Sequence, residues 1–469
     1  MIPVRGFEGK RVAVFGLGRS GMTAARALRA GGAEPLLWDD NAASLKTAAL
    51  EGFTIENLKI GDWSEIDAFV LSPGVPLTHP EPHWTVQKAN AAGVEILGDV
   101  ELFGRTVEAA PPHKRPKVVA ITGTNGKSTT TALIGWILKA AGRDARVGGN
   151  IGVGVLDLED MHAGAVYVIE TSSYQLDLTQ RFRPDVAVLL NFSPDHLDRH
   201  GSMEGYVAAK RRLFRNQRDG DTAVVGVDDD WSRQTCTELM AQNRRAVRPI
   251  SAGRAIGRGV YALQGVLYDS SGERTIEVCD LARARSLTGR HNWQNAAAAY
   301  AAVRALGLSL EEAVEGLTSF PGLEHRMQEI ARIDRVRFVN DSKATNADAA
   351  RQAMSSYPKF FWIAGGRAKA GGIEELSDLF PRVAKAYLIG EAAELFSKTL
   401  GSRAPWTVSG TIERAVAQAY ADAAANGGDA VVLLSPACAS FDQYPDFEKR
   451  GQAFEAAVRA LTQPREASA

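Results

Sequence analysis

Short runs of aliphatic and β-branched residues alternate along the chain with stretches rich in alanine and leucine, usually with glycine between them. Strands that are buried on both faces read as continuous apolar runs, and their alternation with helices predicts parallel α/β sheets. The alternation recurs in three blocks. The predicted strands are 11–16, 35–40, 67–74 and 94–98 in the first block, 118–123, 165–170, 186–191 and 222–227 in the second, and 335–341, 360–366, 386–390 and 430–437 in the third.

The breaks in this pattern predict three domains. A proline-rich bridge at 109–117 follows the first block, and proline and glycine interrupt a helical pattern at 319–326. Between 259 and 281 apolar and polar residues alternate singly, which predicts a small antiparallel addition, and an alanine-rich helix is expected over 292–306. The expected domains are 1–98, 99–322 and 323–469.

Length and charge narrow the class of protein. A chain of 469 residues is too long for one core, and three domains suit it. The net charge of -1 argues against binding nucleic acid through bulk positive charge. The three cysteines, Cys236, Cys279 and Cys438, lie too far apart in sequence to form a disulfide framework. With no signal peptide and no run of about 18 apolar residues, we expect a cytoplasmic enzyme or binding protein without a membrane span.

The sharpest local motif lies between a predicted strand and a predicted helix. The backbone N–H groups of such a loop converge on an anion, and the helix N-terminus adds a partial positive charge. Lys127 can reach the β- and γ-phosphates, and the Ser128 hydroxyl can bind Mg²⁺. Ile121 stands where the usual motif has its first glycine, and a ligand-free turn is the alternative. The candidate phosphate-binding residues are Gly123, Thr124, Asn125, Gly126, Lys127, Ser128 and Thr129.

Polar residues follow two neighbouring strands of the second block. Glu170 and Asn191 end these strands, and His196 comes shortly after Asn191. Ligands collect at the carboxyl ends of parallel strands, and Glu170 and His196 could serve a divalent ion there. A helix-capping role for Glu170 and a structural hydrogen bond for His196 are equally open. Lys210 reads, from its own helix alone, as one cation on a solvated face.

A second glycine turn, Gly16–Gly21, follows the first strand and opens a helix. Asp39 or Asp40 ends the next strand, at the distance that a dinucleotide fold expects. This pattern specifies a diphosphate on a helix N-terminus, which a UDP group satisfies as well as NAD does. A tight turn without any ligand is the alternative.

Taken together, these segments resemble the Mur ligase family over nearly the whole chain. GLGRSG and LSPGVP near the N-terminus are consistent with the resemblance. The segments that carry it are TGTNGKST (122–129), GNIG (149–152), IETSSYQLD (169–177), NFSPDHLDRH (191–200), YVAAK (206–210), GRHNWQNAAAA (289–299), GLEHR (322–326), NDSKATN (340–346) and LLSPACASFDQYPDFEKRG (433–451).

The resemblance implies a fold and a reaction. The fold is a Rossmann-like N-terminal domain, a central P-loop mononucleotide-binding domain with the antiparallel addition, and a Rossmann-like C-terminal domain. The reaction is an ATP-driven amide synthesis of bacterial peptidoglycan precursors. ATP phosphorylates the carboxylate of UDP-N-acetylmuramoyl-L-alanine, D-glutamate attacks the acyl phosphate, and a tetrahedral intermediate releases phosphate. We expect a monomer whose domains close about hinges near Gly98 and Gly322.

The resemblance also implies roles for individual residues. Lys127, Lys210, His196, Glu170 and Lys343 match catalytic positions. Ser128, Glu170, His196 and Lys210 match the surroundings of two Mg²⁺ ions, with Lys210 carrying a CO₂-derived carbamate. Besides the phosphate loop, Asn292, Asn295, Arg326 and Asp341 match ATP contacts. The UDP-substrate positions are Gly18, Arg19, Ser20, Asp39, Asp40, Gly74, Asn150 and His325. The D-glutamate positions are Lys343, Thr345, Lys369, Ser440 and Phe447.

The sequence departs from the family pattern at one position, where Ala368 stands in place of a frequent aspartate. An Asn-Pro-Arg motif, typical of the branch that adds meso-diaminopimelate, is missing, which favours D-glutamate. Two alternatives stay open. One is a related ligase, such as another Mur ligase or a folylpolyglutamate synthetase. The other is a regulatory P-loop switch whose first block senses NAD.

Overall fold

The computed structural model describes residues 1–287, 289–368 and 371–462. The chain divides into two compact units, residues 1–320 and the residues from 321 onward. Lys369 lies outside the described ranges, and so does the prediction that it binds D-glutamate. Within them, no helix combines the length and the apolar character that crossing a bilayer requires.

The first unit begins with a parallel sheet, which has five strands in the described residues, in the order β3-β2-β1-β4-β5. Its apolar strands form the core, where Val12, Val14 and Leu37 are fully buried. The strands are β1 (Arg11–Phe15), β2 (Glu34–Trp38), β3 (Thr54–Ile55), β4 (Ala68–Leu71) and β5 (Ile96–Leu97). The helices are α1 (Arg19–Ala30), α2 (Ala42–Leu50), α3 (Trp84–Ala92) and α4 (Asp99–Ala109).

The glycine turn after β1 has a steric requirement. Gly16 has a φ of +88°, and a Cβ atom on Gly21 would lie 2.0 Å from the Gly16 carbonyl oxygen. A side chain at Gly21 would therefore push α1 away from the sheet. The turn brings the N-terminus of α1, with Gly18 and Ser20, to the carboxyl end of β1.

The central sheet of the same unit runs β14-β13-β12-β11-β10-β9-β6-β8-β7. It is parallel up to β12, and the two pairs β12–β13 and β13–β14 are antiparallel. The strands are β6 (Lys117–Thr122), β7 (Asp144–Gly149), β8 (Ala165–Glu170), β9 (Val186–Leu189), β10 (Thr222–Gly226), β11 (Ala246–Ser251), β12 (Val260–Leu263), β13 (Val266–Asp269) and β14 (Ile276–Asp280). The helices are α5 (Lys127–Ala140), α6 (Ser173–Asp177), α7 (Leu197–His200), α8 (Met203–Arg211), α9 (Asp230–Gln242), α10 (Arg290–Ala305) and α11 (Leu310–Ser319).

The strand order of this sheet positions the candidate site. β6 lies between β8 and β9, so the loop after β6 leaves the sheet beside Glu170 and beside the segment that follows Leu189. Parallel strands end at one edge, where their loops meet. The sheet thus gathers the polar strand ends that the sequence places far apart.

The second unit contains a six-stranded sheet in the described residues, in the order β15-β16-β20-β17-β18-β19. Only the pair β15–β16 is antiparallel among its described pairings. The strands are β15 (Gln328–Ile333), β16 (Val336–Asn340), β17 (Phe360–Gly365), β18 (Val383–Ile389), β19 (Trp406–Gly410) and β20 (Ala430–Leu434). The helices are α12 (Ala347–Ser355), α13 (Ala393–Leu400), α14 (Ile412–Ala425) and α15 (Phe447–Ala460). Together with the two sheets of the first unit, this confirms the predicted α/β class and the antiparallel addition.

Candidate functional site

The loop between β6 and α5 has a backbone shape that requires glycine. Gly123 has a φ of +149° and Gly126 a φ of +84°. A Cβ atom on Gly126 would lie 2.2 Å from Asn295 Oδ1. Helix α5 begins directly after Gly126, so its first N–H groups face the loop. The loop therefore forms the strand–glycine–helix turn that the sequence predicted, and its binding of phosphate stays a prediction.

Lys127 folds back over this loop. Its Nζ donates to the carbonyl oxygens of Gly123 at 3.0 Å and Thr124 at 2.7 Å. Ser128 and Thr129, in the first turn of α5, are both buried. The ammonium group is thereby held against the carbonyl oxygens of the glycine loop.

Lys210 meets the same loop from α8. Its Nζ donates to the Gly123 carbonyl oxygen at 2.9 Å and to Thr122 Oγ1 at 3.3 Å, and it lies 4.8 Å from the centre of the Tyr206 ring. The side chain is only 1% exposed, so its interpretation as a solvated surface cation is wrong. Burial, followed by the neighbouring charge of Lys127, lowers the pKa of Lys210 well below its ordinary value.

Glu170 ends β8 as a buried carboxylate. Its Oε1 accepts a hydrogen bond from Asn150 Nδ2 at 2.9 Å, whereas Oε2 is buried without a hydrogen-bond partner. Helix α6 is capped instead by Ser172, whose Oγ accepts from the Gln175 backbone N–H at 3.2 Å. The alternative that Glu170 caps this helix is therefore wrong. A buried carboxylate oxygen without a donor suits a divalent cation.

His196 immediately precedes α7 and has a φ of +53°. Its ring lies 4.8 Å from the Tyr174 ring, and its Nε2 lies 3.3 Å from Asp195 Oδ2. Burial lowers the pKa of His196, which favours the neutral imidazole that a metal needs. In the described ranges no group of three or more His, Cys, Asp or Glu side chains is placed to hold a metal ion.

Asn292 and Asn295, at the beginning of α10, are buried beside the phosphate loop. Asn295 Nδ2 donates to Asn292 Oδ1 at 3.0 Å, and Thr130 Oγ1 donates to Asn295 Oδ1 at 3.2 Å. Their spacing of one helical turn places them on one face, as the sequence predicted. The structure thus brings Asn292 and Asn295 together with α5.

Three residues without a predicted role form a polar chain behind the loop. The Asn191 amide accepts from the Asn125 backbone N–H at 2.9 Å and donates to Gln294 Oε1 at 2.8 Å. Gln294 Nε2 in turn donates to Asp228 Oδ2 at 3.1 Å. The position of Asn191 at a strand end was visible in the sequence, but its contacts depend on the neighbouring strands.

The N-terminal glycine turn is held by its own domain. The Leu17 backbone N–H donates to Asp39 Oδ2 at 2.5 Å, and Ser72 Oγ donates to the Gly16 carbonyl oxygen at 2.5 Å. Asp40, in contrast, forms an ion pair with Lys59 Nζ at 3.0 Å. The two aspartates therefore differ, because Asp39 shapes the turn and Asp40 points to a neighbouring cation.

Two predicted UDP-substrate residues lie where the N-terminal and central sheets meet in the first unit. Arg19 Nη1 donates to the Gly152 carbonyl oxygen at 3.0 Å. Gly152 lies three residues after the end of β7, and Asn150 directly follows that strand. Gly74 is exposed in the loop after β4, and its carbonyl oxygen accepts from Arg199 at 2.9 Å. The predicted acceptor positions therefore border the phosphate-loop domain.

The second unit holds its predicted residues in a buried network. His325 Nδ1 lies 2.9 Å from Asn340 Nδ2, and the Lys343 backbone N–H donates to the His325 carbonyl oxygen at 3.0 Å. Asp341 Oδ2 accepts from Ser435 Oγ at 2.8 Å, and burial raises the pKa of Asp341 to about 7. Arg326 lies in the bend directly after His325, before β15.

The predicted D-glutamate residues of this unit lie around α15. Lys343 Nζ lies 5.2 Å from the centre of the Phe447 ring, and the Thr345 backbone N–H donates to the Lys343 carbonyl oxygen at 2.8 Å. Ser440 is buried in the loop before α15. Arg450, which the sequence did not single out, is buried and donates through Nε to Ser342 Oγ at 3.0 Å.

Comparison with known proteins matches three family domains in order. Residues 10–98 match the Mur ligase MurD-like N-terminal domain. Residues 121–303 match the Mur ligase middle domain, and residues 325–438 match the Mur ligase glutamate ligase domain. Together they cover the three predicted blocks.

Curated relatives and solved structures agree with these matches. The UDP-N-acetylmuramoylalanine–D-glutamate ligase of Caulobacter vibrioides (strain NA1000 / CB15N) is 72% identical over 462 residues, 98% of each chain. The enzyme of that name from Phenylobacterium zucineum (strain HLK1) is 68% identical over 461 residues, again 98% of each chain. The fold is similar to that of UDP-N-acetylmuramate-alanine ligase from Thermotoga maritima, with a TM-score of 0.56, 16% identity and coverage of 96% and 99%. The chain therefore belongs to the Mur ligase family.

Proposed function

We propose that this protein is an ATP-dependent ligase that joins D-glutamate to UDP-N-acetylmuramoyl-L-alanine and releases ADP and phosphate. The observation that carries the proposal is the convergence of two lysine side chains on one loop carbonyl. Lys127 Nζ and Lys210 Nζ both donate to the Gly123 oxygen, at 3.0 and 2.9 Å. Two lysine side chains at the end of a strand–glycine–helix turn suit a phosphoryl-transfer site, with Lys127 as the ammonium group that holds phosphate charge and Lys210 as a buried amine of lowered pKa.

The chemistry explains why a ligase needs this arrangement. A carboxylate is a poor electrophile, and phosphorylation gives it a leaving group. The loop N–H groups and Lys127 hold and orient the triphosphate of ATP, so that its γ-phosphoryl group faces the acceptor carboxylate. D-Glutamate then attacks the acyl phosphate through its amino group, and the tetrahedral intermediate expels phosphate. Asn292 and Asn295 lie beside the loop on the side that we assign to adenine.

Glu170, Ser128 and His196 would hold Mg²⁺, since the unpartnered Oε2 of Glu170 fits such an ion. When bound, Mg²⁺ would neutralise phosphate charge during the transfer. Asn150 donates to the other oxygen of the Glu170 carboxylate and so fixes its orientation. The neutral form of His196, which burial favours, leaves an imidazole nitrogen available as a ligand.

Lys210 is the residue that we assign to carbamylation by CO₂. The reaction needs a neutral amine, and the buried side chain has a pKa well below the ordinary value. The neutral amine attacks the carbon of CO₂ and releases one N–H proton, which converts the amine into a carbamate, a carboxylate-like anion. That group would orient Mg²⁺, while its nitrogen stays beside the Gly123 carbonyl.

D-Glutamate would bind to the second unit. Its two carboxylates call for cations, and Lys343 and Lys369 are the lysines that we assign to them. Lys343 is fixed at the backbone by the His325 carbonyl. Ser440, Thr345 and Phe447 complete the proposed pocket. UDP would bind to the N-terminal turn, with Gly18, Arg19, Ser20, Asp39, Asp40 and Gly74 as its assigned residues.

A panel of amino acids tests this assignment. UDP-N-acetylmuramoyl-L-alanine, ATP and Mg²⁺ are mixed with single amino acids, and ligated product and phosphate are measured. We expect product with D-glutamate alone, and phosphate release only when both acceptor and amino acid are present. If product forms with a different amino acid, the protein is another ligase of the family. Phosphate release without acceptor would favour the P-loop switch.

A further inference from the structure

Arg199 connects the segment that carries His196, a predicted metal residue, with the loop that carries Gly74, a predicted UDP-substrate residue. It lies in α7, three residues after His196, and its Nη1 donates to the Gly74 carbonyl oxygen at 2.9 Å. Its Nη2 lies 3.5 Å from the Pro73 carbonyl oxygen. The guanidinium group of the central domain thus contacts two consecutive carbonyls of the N-terminal domain, inside one compact unit.

An aromatic ring fixes the same guanidinium group. Its carbon lies 4.6 Å from the centre of the Tyr174 ring. That ring also lies 4.8 Å from the His196 ring and 5.6 Å from the His200 ring, against which it stacks. Tyr174 belongs to α6, which follows the strand that ends at Glu170. Arg199 is therefore packed against the side chains that surround the proposed metal residues.

A second close approach lies two residues further along the chain. Gly201 has a φ of +77°, and a Cβ atom there would lie 2.5 Å from His79 Nε2. His79 belongs to the same N-terminal loop as Gly74. The loop therefore packs directly on the end of α7, and the arginine contact is not an isolated surface hydrogen bond.

The chemistry of this contact calls for arginine. The Nε atom of Arg199 is buried without a hydrogen-bond partner, which costs stability that the other contacts of the side chain must offset. A planar guanidinium can stack on a ring while it donates to two neighbouring carbonyls. A lysine ammonium, which is a compact point charge, can satisfy one of these requirements at a time.

We propose that Arg199 is a positioning residue that holds the acceptor-binding loop in register with the segment that carries His196. Gly74 takes its role from the proposed function, so this inference rests on it. With the loop fixed, the carboxylate of the bound acceptor is presented to the phosphate loop. Without Arg199, the loop keeps its sequence but loses its attachment to α7.

The test compares Arg199→Ala and Arg199→Lys with a matched control, Arg29→Ala. Arg29 uses the same chemistry within the N-terminal domain, because its guanidinium carbon lies 3.8 Å from the centre of the Phe53 ring and its Nη1 donates to the Glu51 carbonyl oxygen at 3.0 Å. The control therefore removes an arginine that stacks and donates, but leaves the contact with Gly74 intact.

For Arg199→Ala we expect the KM for UDP-N-acetylmuramoyl-L-alanine to rise about tenfold, the effect of one lost charged hydrogen bond, with the KM for ATP changed less than about twofold. Arg199→Lys should lie between Arg199→Ala and wild type, and Arg29→Ala should match wild type. In the ligand-free proteins, hydrogen exchange at 73–79 should be faster in Arg199→Ala and unchanged in Arg29→Ala.

Unchanged acceptor KM and unchanged exchange at 73–79 would overturn the proposal, as would equal increases in the KM values of all three substrates. If Arg199→Ala does not fold, exchange in Arg199→Lys decides. A wild-type protein that makes no D-glutamate product would refute the proposed function instead, while the exchange measurement would still report whether Arg199 holds the loop.

Discussion

The protein has two glycine turns that each follow a strand and open a helix, and side chains of different chemistry contact them. At the central turn two lysines, Lys127 and Lys210, donate to the carbonyl oxygen of Gly123. At the N-terminal turn a carboxylate, Asp39, accepts from the Leu17 N–H, and Ser72 donates to the Gly16 carbonyl. Two lysine amino groups therefore meet on one carbonyl at the central turn, whereas short hydrogen bonds from within its own domain stabilise the N-terminal turn.

The N-terminal turn suits the binding of a phosphate group that does not react, whereas the central turn suits phosphoryl transfer. Backbone N–H groups and a helix N-terminus are sufficient to bind a diphosphate that does not react. Transfer also requires stabilisation of the charge on the moving phosphoryl group, which Lys127 and the Mg²⁺ proposed beside Lys210 would supply. The difference predicts that changes at the central turn lower kcat and that changes at the N-terminal turn raise the KM for the acceptor.

The largest effect is expected from Lys127→Ala. Loss of the ammonium group should lower kcat by about 10³-fold, because the phosphoryl charge loses a donor that we assign to it. The melting temperature should stay near that of wild type, since the Nζ donates to two carbonyl oxygens of its own loop, those of Gly123 and Thr124. Phosphate release and ligated product are measured, with Lys139→Ala, an exposed lysine of the same helix, as the control. Activity of Lys127→Ala near that of wild type would contradict the assignment of phosphoryl transfer to the central turn.

Lys210→Ala should lower kcat by about 100-fold, because the group that orients the metal side of the site is lost. Added short carboxylic acids should restore part of the activity, since they can occupy the space of the carbamate. The measurement is turnover against acetate or formate concentration. Lys127→Ala serves as its control, because a carboxylate cannot replace a phosphate-binding ammonium. Full activity of Lys210→Ala in the absence of added acids would exclude a role for a carbamate on Lys210.

Asp39→Ala should have the smallest effect of the three. The Leu17 N–H loses its acceptor, so the turn loosens and the KM for the acceptor nucleotide rises about tenfold. We expect kcat to change less than about twofold, because the central turn is untouched. Asp62→Ala is the control, since the described hydrogen bonds of Asp62 come from nearby Ser64, from its backbone N–H at 2.9 Å and its Oγ at 2.7 Å. A fall in kcat with an unchanged KM would contradict the assignment of the two turns.

The sequence predicted well those strands that are buried on both faces. The strand predicted at 165–170 is found as Ala165–Glu170, and the one at 118–123 as Lys117–Thr122. Strands near sheet edges were missed because charge, proline or glycine interrupts their apolar pattern. Asp144–Gly149 contains four such residues, two charged and two glycines, and Gln328–Ile333 is an antiparallel edge strand with two charged residues.

The candidate site was predictable where a motif is contiguous and less so where it depends on topology. The phosphate loop could be located from its residues alone. Lys210 could not, because its helix reads as solvated until β6 and α8 are brought together. The roles of Asn191 and Arg199 depend on neighbours 66 and 125 residues away in sequence, and no periodicity encodes such contacts.

The Asn191 amide has a consequence for how tightly nucleotide can bind. It pairs with both the N–H and the carbonyl of Asn125, at 2.9 and 3.3 Å, and is itself braced by Gln294. These hydrogen bonds are made within the protein and order the loop by themselves, so nucleotide binding has little loop conformational entropy left to remove. Replacing Asn191 should make nucleotide association more strongly opposed by entropy, since the loop would then have to be ordered at the moment of capture.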